Sequence, residues 1–436
     1  MTPASVTANR GALWAWAAFD WANSSFPTVI TTFVFGAYFT KAVAATPEIG
    51  TALWGQAMAL TGLLVALASP LLGAIADQGG RRKPWIAAFT LLCILATAGL
   101  WFVIPDPSAV PLALGLVVLA SIGAELGTVF YNAMLPDLAD RAHYGRWSGW
   151  GWGIGYAGGL ACLTAALFGL VQADPPPFGL DPGQAEPVRA TALLVAVWFA
   201  IFAIPLFLVT PDRPATALPW RRAVAGGLKT LSATLANARR YRTILRFLLA
   251  RMLFTDGLNT LFAFGGIYAA GTFGMDLPEV IQFGIAMNVT AGLGAAGFGW
   301  LDDRIGAKPT IVIALIGLIG FGSALLVVES KLWFWLLGLP LGLFVGPAQS
   351  ASRSLMAHLA PAEMRTEMFG LFALSGKVTA FLGPAVLGWV TLAADSQRAG
   401  MATIIAFLLA GLLLLLPVRV PKSEKEGCVV AIADGD

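Results

Sequence analysis

The sequence predicts an all-α membrane protein, twelve transmembrane helices in two pseudo-symmetric six-helix bundles, on three observations. Of 436 residues, 58% are hydrophobic and only 12% are charged, more apolar surface than a soluble domain can hide. The apolar residues gather into twelve segments of about 20 residues or more, the length that crosses a bilayer. The polar stretch GAIADQGGRRKP at 73–84 returns half a chain later as GWLDDRIGAKP at 299–309. Each copy sets Gly four residues before Asp (Gly73 and Asp77, Gly299 and Asp303). Each then has Gly three residues on (Gly80, Gly306), followed by basic residues and Pro. Two such copies between apolar segments mean an internal duplication.

In chain order, the first six spans fall near 12–39, 53–76, 85–104, 111–135, 147–171 and 190–210. The second six fall near 244–271, 279–300, 309–328, 332–357, 367–392 and 399–417. The division is therefore 1–210 for the first half, 211–243 for a linker, 244–418 for the second half and 419–436 for a disordered tail. The first apolar run outlasts a signal peptide and contains Asp20, so it reads as an uncleaved span. Connections alternate in charge. Arg10, Arg81, Arg82, Lys83, Arg141, Arg146, Arg304, Lys308 and Arg365 lie on one side, with the basic linker and tail. Lys41, Arg189, Lys331 and Arg398 lie on the other, among many acids. The positive-inside rule then places both termini and both hinge loops in the cytoplasm. Val224, Leu228, Leu231 and Leu235 fall at helical spacing in the linker, with Arg221, Arg222, Lys229, Arg239 and Arg240 mostly off that stripe. This predicts a basic amphipathic helix on the inner leaflet; Gly226 and Gly227 also allow a flexible linker. Cys93 and Cys162 sit in apolar segments and Cys428 in the tail, so neither disulfide nor metal site is expected.

Polar residues inside the spans are costly and mark function by default. Span one reads FDWANSSF and span seven TDGLNTLF, so Asp20, Asn23 and Ser24 repeat as Asp256, Asn259 and Thr260. Each trio shares one helix face. Glu125, Tyr131 and Asn132 lie in span four, Arg251 in span seven, and Lys377 in span eleven. Gln349, Ser350, Ser352 and Arg353 lie in span ten. Opposite charges at depth suggest pairing across a shared polar cavity, with both repeat acids facing it and Lys377 as the partner of Asp20. Glu125 has no base near it in sequence and is the first candidate to carry a proton. Gly151, Gly155 and Gly159 recur every fourth residue in span five, a surface for close helix contact. Ala291, Ala295 and Gly299 of span eight read as its counterpart.

The repeated hinge resembles the loop between the second and third helices of the major facilitator superfamily, repeated between the eighth and ninth. Gln78 stands where Arg is usual; the second copy keeps Arg304. That resemblance implies that Asp77 meets the start of the eleventh helix near Thr366 to Phe369 while the cytoplasmic side is closed. The stretches WAWAAFDWANSSF, VFYNAMLPDLA, GWGIGYAGG and GPAQSASRSLMAHLAP…FGLFALSGKVTAFLGP are similar to the autophagy-related vacuolar amino-acid effluxers and their bacterial relatives. What this implies is a secondary transporter of an amino acid or similar zwitterion, working by alternating access. A proton-coupled monomer of the bacterial inner membrane is expected, with no cofactor, metal or nucleic-acid partner. A sugar or sugar–peptide permease of the same fold is the alternative reading, and a transport-inactive membrane sensor the alternative class. An enzyme is not expected, because His143 and His358 sit at loop edges without a nucleophile grouping.

Overall fold

The computed structural model describes residues 9–420, so the tail from 421 onward lies outside the described residues. Among the described residues, eleven helices are long and apolar enough to cross a membrane. In the first half, α1 is Arg10–Val43, α2 Pro47–Gly79, α3 Lys83–Phe102, α4 Pro107–Leu138, α5 Arg141–Val171 and α6 Glu186–Val209. In the second, α7 is Arg242–Phe273, α8 Pro278–Ile305, α9 Ala307–Val327 and α10 Lys331–Leu359. The next element, α11, comes in two pieces, Arg365–Ser375 and Leu382–Ala394, and α12 is Gln397–Leu415. The expected continuous eleventh span is thus broken at 376–381. Pro384 has no N–H to bond the Ala380 carbonyl and its ring crowds that carbonyl, which favours a break or kink there. Gly376 weakens the same stretch. Lys377 sits in the gap.

Helix ends follow local chemistry. Thr46 caps α2 ahead of Pro47, and Asp276 forms a capping box with Glu279 before α8. The repeated hinge glycines have one backbone role. Gly80 ends α2 at φ 82° and Gly306 ends α8 at φ 93°, a region that strains any residue with a Cβ.

The halves meet where α5 packs along α8 and α2 along the first piece of α11. A Cβ on Gly149 would lie 2.3 Å from the Ala295 carbonyl oxygen, and one on Gly370 would lie 2.4 Å from that of Ser69. The expected small-residue groove is shifted. Gly151, Gly155 and Gly159 back onto Asp20, Ser24 and Thr28 of α1, while Gly145, Gly149 and Gly153 face α8. The two rows are two residues apart, and spacing alone could not say which met which neighbour.

A linker helix, Trp220–Ala236, joins the halves. Its small row packs on α2, where Gly227 backs onto Ile75 and the Gln78 amide donates to Thr230 Oγ1 at 3.3 Å; Trp220 meets Trp85 of α3 with ring centres 5.8 Å apart. Gly226 and Gly227 therefore serve contact with the bundle and do not loosen a linker. Leu228 of the expected apolar stripe faces outward.

Candidate functional site

A cavity of about 570 Å³ lies between the halves, lined by α1, α2, α4 and α5 from one side and by α7, α10 and the broken α11 from the other. Asp20, Asn23, Glu125, Asn132, Asn259, Arg353 and Lys377 all reach it. A second hollow of about 450 Å³ shares Ser24, Pro27, Trp152 and Gly155 and extends to Phe283, Gly284 and Asn288 of α8. Asn23 sits in the wall with its amide donating to Thr128 Oγ1 at 3.4 Å.

The pairing differs from the expectation. Asp20 does not meet Lys377; its Oδ2 accepts from Arg353 Nη1 at 3.0 Å and from the Tyr131 hydroxyl at 2.8 Å. Arg353 also donates to Asn132 Oδ1 at 3.1 Å, Ser148 Oγ at 2.9 Å and the Ser148 carbonyl at 2.7 Å. Its guanidinium lies over the Trp16 ring at 4.8 Å, with Tyr131 and Trp152 each at 5.8 Å. Four of its five N–H directions are thus bonded and aromatic rings cover the group, which offsets the cost of burying the charge. Arg353 lies six residues, about 9 Å, from the hinge-face end of α10, so this cluster forms one end of the cavity.

Lys377 instead donates to Glu125 Oε1 at 2.6 Å. Both side chains are about a third exposed to the cavity, 34% and 39%. Glu125 is therefore not a lone carboxylate. The helix break turns Lys377 into the cavity, which a helical periodicity argument could not foresee.

Three predicted residues stand apart. Arg251 caps the first piece of α11, donating to the Phe372 carbonyl at 2.7 Å and Ser375 Oγ at 2.8 Å, with its guanidinium 3.6 Å from the Phe372 ring centre. Gln349 lines, with Arg251 and Asn259, a smaller hollow of about 80 Å³. Asp256 is fully buried, behind the break in α11, and lines none of these hollows. Sequence reading missed Trp16, Ser148 and Trp152, which cradle Arg353; their signal was only their presence in or near the quoted motifs.

Toward the hinge loops the cavity is shut. Asp77 accepts from the backbone N–H of Thr366 at 3.2 Å and of Glu367 at 2.9 Å, the free donors at the start of α11. Arg82, almost fully buried, donates to Thr366 Oγ1 at 2.9 Å and the Ala133 carbonyl at 2.7 Å. Burial lowers the Arg82 guanidinium from its usual value, and the Asp137 carboxylate raises it back. Asp137 gathers Arg82, Arg365 and Arg213, the last through bonds of 2.8 and 3.0 Å. On the other contact, Asp303 accepts from the Arg146 N–H at 3.0 Å and meets Arg146 Nε at 3.2 Å. Arg81 and Arg304 point outward and form no ion pair among the described residues.

With this geometry in hand, the comparisons decide the family. The profile described as "Vacuole effluxer Atg22 like" matches residues 51–146 and 143–428. The chain belongs to the Atg22-like effluxer family. Among relatives, it is 26% identical over 406 residues to the uncharacterized MFS-type transporter YxiO of Bacillus subtilis, covering 92% of this chain and 93% of that one. It is 26% identical over 304 residues to Autophagy-related protein 22-1 of Penicillium rubens, covering 64% of this chain and 50% of the relative. The chain thus spans about half the length of that fungal relative. The outward conformation of the major facilitator transporter FucP superposes with a TM-score of 0.74 at 14% identity, over 95% of this chain and 99% of FucP. The proton:xylose symporter XylE gives 0.72 at 14% identity, over 95% and 96%. The fold of this Atg22-like chain is the major facilitator fold, and the protein is a multi-pass membrane transporter, not an enzyme.

Proposed function

We propose that this Atg22-like transporter carries an amino acid or similar zwitterion through the central cavity by alternating access, driven by protons. The observation that supports this reading is the Glu125–Lys377 pair, a carboxylate and an ammonium 2.6 Å apart in the wall of a cavity that both halves line. A zwitterion offers the same two charges in reverse, so it can part the pair, placing its ammonium on Glu125 and its carboxylate on Lys377. Each group exchanges one ionic partner for another, and the desolvation of both is already met. Asp20 and Arg353, held by Tyr131, Asn132 and Ser148, stay fixed at the end of the cavity as its floor. Glu125, expected to carry the proton, is assigned to cargo by its pairing.

In this reading the hinge loops and both termini face the bacterial cytoplasm, and the protein acts as a monomer of the inner membrane without cofactor or nucleic-acid partner. The hinge face is closed, because Asp77 holds α11 and Asp303 holds α5. Cargo passes when those two contacts open and the opposite ends of the halves close. The residues named as pathway and hinge therefore act in alternation.

A sugar is the second reading, favoured by Trp152, Tyr156, Phe33 and Phe262 in the wall of the adjoining hollow. Thermal unfolding of the purified full-length protein, screened against amino acids, dipeptides and sugars, separates the two, since a ligand bound to the folded state raises its stability. Amino acids are expected to raise the midpoint, and Lys377→Ala to abolish that rise. A rise with sugars alone would transfer the cavity to the second reading.

A further inference from the structure

Within the repeat, Asp20 and Asp256 hold corresponding places, yet their surroundings differ. The end of α4 reads YNAMLPDLA from Tyr131, and the end of α10 reads SRSLMAHLA from Ser352. Aligned on the closing Leu-Ala, Asn132 stands where the second half has Arg353, and Ser352 stands where the first half has Tyr131. The two groups that satisfy Asp20 thus have no counterparts for Asp256. Asp256 is fully buried, and neither carboxylate oxygen has a hydrogen-bond partner among the described residues. The polar side chain beside it is Thr379, in the α11 break, whose own hydroxyl is buried without a partner.

The basic groups deep in the neighbouring elements are engaged elsewhere, and the remaining charges lie toward helix ends. On α7 itself, Arg251 is held by Phe372 and Ser375; on α11, Lys377 is held by Glu125. On α10, Arg353 is held by Asp20. On α12, Arg398 donates to the Val328 carbonyl, and on α8 the charges lie at the ends, in Glu279, Asp302, Asp303 and Arg304. An ionised carboxylate in this place would be buried without a counter-ion and with only the Thr379 hydroxyl beside it as a donor, which a hydrocarbon-embedded bundle disfavours strongly. A hard cation in place of a proton would need several oxygen ligands, and Thr260 Oγ1 is already bonded to the Asp256 carbonyl at 2.7 Å.

We infer that Asp256 is the proton-binding site of this transporter, filled when α11 is broken as seen here and emptied when residues 376–381 rearrange. The proton comes from water on the face away from the hinge loops, bonds to one carboxylate oxygen, and returns to water on the hinge face. The α11 break is what couples it to cargo. Thr379 touches the acid and lies two residues from Lys377, which touches the cavity, in a stretch held by tight turns (Ala380 N–H to Lys377 carbonyl 3.2 Å, Leu382 N–H to Thr379 carbonyl 2.7 Å). Glu367 also has both carboxylate oxygens without a partner, but it sits at the start of α11 beside the Asp77 contact, away from the cavity.

This deepens the proton-driven reading above, and its test is built to fail separately. Infrared difference spectra of the full-length protein in lipid, in H₂O and D₂O at neutral pH, report protonated carboxylic acids by their carbonyl stretch. The expected result is a D₂O-sensitive component lost in Asp256→Asn and retained in Glu125→Gln and Glu367→Gln. Asp256→Glu, which keeps the acid, should shift it and serves if the Asn variant folds poorly. A spectrum that is the same in wild type and Asp256→Asn overturns the inference. So does an unfolding midpoint raised by NaCl but not choline chloride in wild type alone, because the site would then hold Na⁺. In proteoliposomes, uptake of a mixture of radiolabelled amino acids should respond to an imposed pH gradient in wild type, and Asp256→Asn should lose that response. A response of full size in the variant overturns the inference. Absence of any amino-acid uptake in wild type sinks the cargo reading, while the infrared component still decides the proton site.

Discussion

The two contacts that close the hinge face are built on one backbone plan but differ in charge. In both, a Gly near the hinge end of one helix, α2 or α8, backs onto the start of its partner, α11 or α5. A Cβ on Gly73 would lie 2.4 Å from the Thr366 carbonyl oxygen, and one on Gly299 would lie 3.1 Å from the Gly145 carbonyl oxygen. In both, a second Gly on the partner returns the contact, Gly370 onto α2 and Gly149 onto α8. Asp77 and Asp303 each accept from backbone N–H groups where the partner helix begins. Only the α2–α11 contact adds Asp137 with its three arginines. The corresponding place in the second half is His358, whose ring bonds its own helix at the Ser354 carbonyl. The two contacts thus share the glycine and aspartate device, and the arginine cluster is an addition to one of them, expected to make it harder to open.

The sharpest way to break this comparison is Asp137→Ala. It leaves Arg82, Arg213 and Arg365 crowded around a vacant anion site, and removing one partner of a buried ion pair costs about 3–5 kcal/mol. The expected outcome is a large loss of thermal stability, with engineered cysteines on the hinge face becoming reactive. His358→Ala, at the equivalent place, should change either measurement much less. Equal effects at the two positions would mean that the cluster adds nothing specific to its contact.

Gly149→Val and Gly370→Val come next. Each pushes a side chain into a facing backbone, an overpacking cost of about 1–3 kcal/mol. The two should match, because the glycine device is common to both contacts, and each should raise hinge-face cysteine reactivity. Loss of closure from one and not the other would show that the halves do not share the plan.

The smallest effect is expected from Asp77→Asn and Asp303→Asn. A carboxylate at a helix N-terminus contributes about 0.3–1 kcal/mol when exposed and up to about 2 kcal/mol when partly buried. Both should shift the population toward hinge-face opening, read by the same cysteines. Asp303→Asn should shift it further, since no arginine cluster remains to hold α5 on α8. An effect of Asp77→Asn larger than that of Asp303→Asn would reverse the ranking of the two contacts.

Much of this was legible in the chain. Apolar runs of membrane length set the helices, because lipid accepts only backbone that satisfies its own hydrogen bonds. The repeated Gly and Asp set both hinges, because only Gly is at ease at the φ of residues 80 and 306 and because a helix start offers free N–H groups to an acid. Resemblance placed the Asp77 contact near Thr366 to Phe369, and the structure has it at residues 366 and 367.

What the sequence by itself determined was therefore local: where helices run, where they end, and which charges lie within them. Tertiary structure alone decided which charge meets which. Lys377 looked like the partner of Asp20 when α11 was read as one helix; the break before Pro384 turns it to Glu125, and Arg353 takes its place at Asp20. The row of glycines that meets α8 and the burial of Asp256 behind the break were likewise settled by packing. The physical reason is the same in each case. A side chain's position along a helix follows from 1.5 Å per residue, but its direction depends on how that helix is rotated and interrupted against its neighbours, which no single segment encodes.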